Sequence, residues 1–191
     1  VHIILRRTVW ALQQQLKAGK YEPSRFEISF SMEEDLKASN FQLSEDERLR
    51  LRGRIDRVDR YEEDDTIYVK VIDYKSGNTA LDLTSVYHGL QLQLIVYLNA
   101  ALELEEKNHP GKHAEPAGMF YYHVKDPLVD GKPGDEEEEI ERKLLEKLKV
   151  DGLVRAEEKI LKDLDRELES FQNGKQRTVR RTLCLCQRED P

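Results

Sequence analysis

At 191 residues, with 38% hydrophobic and 36% charged side chains, the chain is long enough for one substantial core that buries roughly 70% of the surface its unfolded form exposes. Its net charge of −7 excludes a protein that grips nucleic acid by overall charge, so any contact with phosphates must be local or helped by metal ions or another polypeptide. No run approaches the roughly 18 apolar residues of a membrane span and the opening Val1–Arg7 is no signal peptide, so the expectation is a folded, cytoplasmic protein with no membrane partner.

From Ile3 to Ala18, Ile4, Val9, Trp10, Leu12 and Leu16 recur at mostly helical spacing and Gly19 follows, which predicts an amphipathic helix. Arg25–Ser31 alternates polar and apolar residues and predicts a strand, entered past Pro23. Met32–Asp46 reads as a polar loop. From Glu47 to Ile55 the alternation is strict, with Leu49, Leu51, Gly53 and Ile55 on one face and arginines on the other. Beyond Ile55 the parity breaks, and Gly53 marks a candidate bulge that re-aims Asp56 towards the core. After the charged turn Glu62–Asp65, Thr66–Lys75 predicts a third strand, and an antiparallel hairpin would bring Asp56 and Asp73 to neighbouring positions.

A helix capped by Thr84 or Ser85 is expected to run to about Lys107, burying Val86, Leu90, Leu94, Tyr97, Leu98, Ala101 and Leu104. Pro116–Val124 predicts a fourth, central strand. Asp135–Leu148 and Ala156–Phe171 read as charged surface helices. Cys184 and Cys186 make no disulfide framework and cannot alone complete a four-ligand zinc or iron–sulfur site. The chain opens on Val1, without methionine, so it is expected to be a piece of a longer protein.

On the third strand Ile67, Val69, Val71, Asp73 and Lys75 share one face, so an apolar stripe ends in an acid and a base. Together with Asp56 these are the groups that phosphodiester hydrolysis requires. Magnesium takes oxygen ligands, typically one or two carboxylates plus substrate phosphate, and the backbone carbonyl of Tyr74 is a candidate third oxygen. Lys75 would orient the attacking water or stabilise charge on the phosphorus. Gln93 and Tyr97 lie one helical turn apart beside Leu90 and Leu94, and a glutamine there needs a polar partner such as Asp73 or Lys75; a plain boundary glutamine is the alternative. His88 lies in the same region as a candidate phosphate or metal contact or a surface residue. The arginines of Arg48–Arg60 either line a DNA channel or form a self-neutralising face with the nearby acids.

The strings Arg52-Gly53-Arg54-Ile55-Asp56-Arg57-Val58-Asp59, Val71-Ile72-Asp73-Tyr74-Lys75-Ser76-Gly77, Gly89–Leu98 and Met119–Pro127 resemble the nuclease domain of the AddB-type polypeptide of bacterial ATP-dependent helicase/deoxyribonucleases. Gly-x-x-Asp, Asp-Tyr-Lys and Gln-x-x-x-Tyr in this order are the marks of the RecB-like PD-(D/E)xK nucleases, and the resemblance covers about Arg7 to Asp165.

It implies an α/β, restriction-endonuclease-like core in which a mixed sheet of about four strands is flanked by helices, in the order α-β-β-β-α-β with C-terminal helices added. It also implies Mg2+, replaceable by Mn2+, at Asp56, Asp73 and Tyr74, with Asp56, Asp73, Lys75, Gln93 and Tyr97 as the catalytic set. The implied setting is a helicase–nuclease heterodimer with an A subunit as partner, which resects double-strand breaks for recombinational repair and cuts unwound single-stranded DNA. A non-catalytic module of the same fold that guides single strands or braces the partner subunit is the alternative, and a purely structural interaction domain is a third.

The resemblance further implies a metal ligand, often histidine, ahead of these motifs, where this chain offers only His2. AddB-type proteins carry a four-cysteine iron–sulfur cluster, implied for the full-length protein. Cys184 and Cys186 do not match its pattern, so residues 1–170 are assigned to the nuclease domain and residues 171–191 to a tail outside it, with no cluster in this chain.

Overall fold

The computed structural model describes residues 2–30, 40–42, 48–131, 134, 136–166 and 182–185. Among these the order is α1 (His2–Ala18), β1 (Glu22–Phe30), β2 (Asn40–Gln42), β3 (Arg48–Arg50), β4 (Gly53–Glu63), β5 (Thr66–Lys75), α2 (Leu83–Tyr87), α3 (Gln93–Asn108), β6 (His113–His123), α4 (Glu137–Lys147), β7 (Asp151–Arg155), α5 (Glu158–Leu164) and β8 (Thr182–Leu185). The main sheet has the spatial order β1-β4-β5-β6-β7-β8. It is mixed: β1, β4 and β5 are antiparallel neighbours, β6 runs parallel to β5, β7 is antiparallel to β6, and β8 is parallel to β7. This is the restriction-endonuclease-like arrangement, with the expected α-β-β-β-α-β order traced by α1, β1, β4, β5, α3 and β6.

Both faces of the sheet are covered, which is why its central strand β6 carries the continuous buried run Ala117–Tyr122. On one face Ile55, Val58, Ile67, Val69, Val71, Met119 and Tyr121 pack against Leu94, Tyr97, Ala100, Ala101 and Leu104 of α3. Those α3 positions recur three and four residues apart, so one stripe of the helix meets the sheet, and each fully buried leucine there contributes about 1.5–3 kcal/mol. On the other face Tyr21, Ile72, Phe120, Tyr122 and Val154 pack against Ile160, Leu161 and Leu164 of α5 and Leu12 of α1. The β4–β5 hairpin turns through Asp64, whose φ of 52° is a left-handed conformation that aspartate tolerates.

Four expectations are corrected. The sheet has six strands among the described residues, because β7 and β8 extend it beyond the four expected. Within the expected loop of residues 32–46, Asn40–Gln42 pairs with Arg48–Arg50 in a separate two-stranded ribbon, while residues 31–39 and 43–47 lie outside the described residues. The strand expected over residues 47–55 is broken at Leu51 and Arg52, where the chain leaves that ribbon to join β1 in the main sheet. The helix expected from Thr84 to Lys107 is two helices. Asp82, not Thr84 or Ser85, caps the first by accepting from both of their backbone N–H groups. Gly89, at φ 74°, then breaks the helical run before α3 begins. Of the C-terminal tail only β8 is described, and Cys186 lies outside.

Candidate active site

The β5 stripe ends as its alternation dictates. Ile67, Val69 and Val71 are buried under α3, Asp73 follows them at 3% exposure, and Lys75 is half-buried at the strand's end. On β4, Ile55 and Val58 both enter the α3-side core although they lie an odd number of residues apart, which a regular strand forbids. The neighbouring strand carries the matching distortion. Ile28 pairs with Ile55 and Phe26 with Arg57, and Glu27 between them takes φ 51°. Asp56 sits opposite this kink.

The β4–β5 ladder closes at Arg57 and Ile72. Past it, the backbone N–H of Tyr74 donates to Asp56 Oδ2 at 2.8 Å, so a side chain replaces the missing strand partner and the Asp56 carboxylate is held against the end of β5. Asp56 and Asp73 are close enough to repel. The ring of Tyr74 points to the opposite face, where its hydroxyl accepts from Arg57 at 3.4 Å.

From α3, Gln93 closes the group. Lys75 Nζ donates to Gln93 Oε1 at 2.9 Å, and Gln93 Nε2 donates to the Tyr97 hydroxyl, also at 2.9 Å. The glutamine is the exposed first residue of α3, not a mid-helix residue on a buried face, and Leu90, expected beside it in the core, is 81% exposed. Gly53 explains the seat of Tyr97. Phe30 and Tyr97 meet edge to face at 5.8 Å directly over this glycine, which leaves no room for a Cβ.

Lys75 Nζ also stands 2.7 Å from Asp73 Oδ2. This buried oxygen is thus paired with the ammonium alone, and no other donor among the described residues bonds it. Burial pushes the Asp73 carboxyl above the usual carboxylate range, with Asp56 adding to the rise and Lys75 opposing it. Two adjacent carboxylates, one with a buried oxygen whose partner is a flexible ammonium, fit a divalent cation that binds through one or two carboxylates and completes its shell with water and phosphate. A closed cage of protein ligands is absent: among the described residues no three His, Cys, Asp or Glu side chains converge.

Asp56, Asp73, Lys75, Gln93 and Tyr97 are therefore gathered at one end of the α3-covered face. The two histidines named as candidates lie elsewhere, whereas His123 is the β6 partner of Lys75 and its Nδ1 lies 3.0 Å from Gly77 O. His88 is exposed at the end of α2, and His2 sits on the outer face of α1 beside Arg6 and Trp10. The arginines of β4 pair with acids: Arg54 with Glu27, Arg60 with Glu62 and Glu105, and buried Arg57 with Asp59 through two bonds of 2.6 Å. Within β4, from Arg54 to Arg60, this is the self-neutralising arrangement.

A model of the PD-(D/E)XK nuclease superfamily matches residues 1–188. The chain belongs to this superfamily. It is 47% identical over 165 residues to the B subunit of the ATP-dependent helicase/deoxyribonuclease of Lachnoclostridium phytofermentans, 86% of this chain but 13% of that protein. The proteins of the same name from Alkaliphilus metalliredigens and Clostridium botulinum strain Hall are 42% and 39% identical, over 86% and 85% of this chain and 14% of each relative. The chain thus spans about one seventh of the length of the curated relatives it matches.

In this nuclease-superfamily domain the sheet adds neighbours to the site that sequence spacing did not single out. Asp73 pairs across the sheet with Tyr121, and Tyr121 with Asp151. Asp151 Oδ2 accepts from the backbone N–H of Leu81 at 3.0 Å. Gln91 then accepts from Asp82 N at 2.8 Å and donates to Ala80 O at 2.9 Å. Together these bonds fasten the segment between Lys75 and Gln93. The signal for Gln91 lay in the string Gln91-Leu92-Gln93 and Tyr121 lay within Met119–Pro127 with no role attached, whereas Asp151 carried none without the strand order.

Proposed function

We propose that this chain is the nuclease domain of an AddB-type bacterial helicase–nuclease polypeptide and that it hydrolyses phosphodiester bonds of unwound single-stranded DNA, as an exonuclease or endonuclease, in a Mg2+-dependent reaction. The single observation that carries the reading is the meeting of Asp56, Asp73 and Lys75 at one sheet end, with Gln93 bonded to the lysine. The names of the relatives support a subunit of an ATP-dependent helicase/deoxyribonuclease; cytoplasmic processing of double-strand breaks for recombinational repair, beside an A subunit, is the setting proposed with it. Residues 1–170 form the main body of the proposed domain, and β8 from the segment beyond them adds the outermost strand of its sheet.

Asp56 and Asp73, with the Tyr74 carbonyl as a further oxygen, would hold the ion. Bound there, a divalent cation supplies polarisation of the phosphoryl oxygen and neutralises developing charge. Lys75 presents a compact positive charge where negative charge grows on the phosphorus as water attacks and the leaving oxygen departs. Gln93 holds that ammonium by its amide oxygen and is itself oriented by Tyr97. With a net charge of −7 the chain as a whole relies on the ion and on local contacts to approach DNA.

A cleavage assay on an end-labelled single-stranded oligonucleotide with Mg2+ tests the reading. The parent cuts, and Asp73→Ala and Lys75→Ala lose at least about 100-fold in kcat. If both variants cut as fast as the parent, the centre is misassigned. Retained DNA binding with no metal binding and no cleavage would instead mark a non-catalytic guide for single strands.

A further inference from the structure

Tyr121 has no role in the reaction as set out above, yet its placement ties it to the lysine. It is the β6 partner of Asp73, its side chain is 1% exposed, and Lys75 Nζ lies 5.3 Å from its ring centroid. Among the described residues the ammonium has three partners: Asp73 Oδ2 at 2.7 Å, Gln93 Oε1 at 2.9 Å and the Tyr121 ring. Only the first is charged.

A divalent cation on Asp73 would compete for the carboxylate oxygen that attracts Lys75 and would repel the ammonium. A lysine stem is flexible, so without another holder it would swing towards solvent. The two neutral neighbours remain attractive under that load, because an amide oxygen and the negative face of an aromatic ring draw a cation without competing for the carboxylate. We propose that Tyr121 is a positioning residue whose ring face seats the Lys75 ammonium at the reacting centre when Asp73 engages the metal. The idea rests on the nuclease reading and assigns a specific task within it. An aliphatic residue of similar bulk would fill the space but provide no such seat.

The test combines a spectroscopic and a kinetic measurement on the full 191-residue chain. In protein carrying 13C-labelled lysine, the Lys75 ε-methylene resonance, assigned by its loss in Lys75→Arg, should be displaced upfield by the ring, without metal and with Mg2+. Tyr121→Phe should keep the displacement and cut within about twofold of the parent, whereas Tyr121→Leu should lose it and lose about tenfold in kcat with KM for DNA little changed. Because Tyr121→Leu removes a buried ring and its fold is at risk, phenylalanines bearing one, two and three fluorines at position 121 form a second series. They keep the shape while weakening the ring's negative face, and kcat should fall stepwise.

The proposal is overturned if the Lys75 resonance is indifferent to the ring, or if the fluorinated series cuts at the rate of Tyr121→Phe. A resonance that follows the ring in a protein that never cuts DNA would uphold the seat and sink the nuclease reading instead.

Discussion

Gly53 supports Tyr97 by having no side chain: a Cβ there would stand 2.8 Å from Tyr97 Cε1 and 2.5 Å from Phe30 Cζ. The glycine of Gly-x-x-Asp and the tyrosine of Gln-x-x-x-Tyr are thereby one packing unit, although they lie on β4 and α3. Since Tyr97 orients Gln93, and Gln93 holds Lys75, pressure at position 53 reaches the lysine. Gly53→Ala should cost about 1–3 kcal/mol through overpacking and lower kcat about tenfold. Thermal denaturation and single-turnover cleavage check the two effects separately.

Gln93 is exposed at the start of α3, so its truncation leaves no cavity. Gln93→Ala should change stability by no more than about 0.5 kcal/mol, yet it should cut kcat about tenfold because the Lys75 ammonium loses a fixed acceptor. A loss confined to KM would show that Gln93 serves binding and not the reacting centre.

Burial raises the pKa of Asp73, with Asp56 adding to the effect and Lys75 opposing it. A carboxyl whose folded pKa exceeds its unfolded value leaves stability unchanged well below both, lowers it as pH rises through the interval, and holds it at the lower level above. Metal-free Asp73→Asn should therefore melt higher than the metal-free parent at pH 7, with the advantage disappearing below about pH 3.5, where the parent carboxyl is protonated in both states. Calorimetry in chelator across this range measures it. The same variant should not cleave DNA.

On the opposite face, Asp59 is fully buried, doubly bonded by Arg57, and has Lys70 as an additional cation at 3.3 Å. Two cations share one carboxylate. Burial lowers the Lys70 pKa against the pull of Asp59, with Arg57 adding to the fall. The parent should gain stability as pH rises from the folded towards the unfolded lysine value, because the folded state then no longer holds an ammonium. Lys70→Met should be neutral or stabilising by about 1 kcal/mol at pH 7, and its advantage should shrink as pH approaches about 10.4. Removing Arg57 instead should be strongly destabilising, by about 3–5 kcal/mol, since it takes the two short bonds from a buried charge.

The parts of the molecule legible in the sequence are those set by local period. The β5 alternation carries Asp73 and Lys75 to one face, and the parity break after Ile55 marks a real distortion, shared with Glu27. Residues Gln93 and Tyr97 meet because they are one turn apart. The helix boundary between them and residue 84 was not legible, since the apolar spacing continues across Gly89 and only its left-handed backbone breaks the rod. The strand β7, a short run between two charged helices, has too little alternation to stand out. The row Asp73, Tyr121, Asp151 depends on β5, β6 and β7 lying side by side, a non-local pairing that no spacing along the chain encodes.

The central claim is that Asp56 and Asp73 together hold a divalent cation beside Lys75, and anomalous diffraction from a manganese-soaked crystal tests it most directly. The expected result is one or more peaks within bonding distance of both carboxylates, lost in Asp73→Asn. Density that touches neither carboxylate, or none at all in a protein that still cleaves DNA, would contradict it.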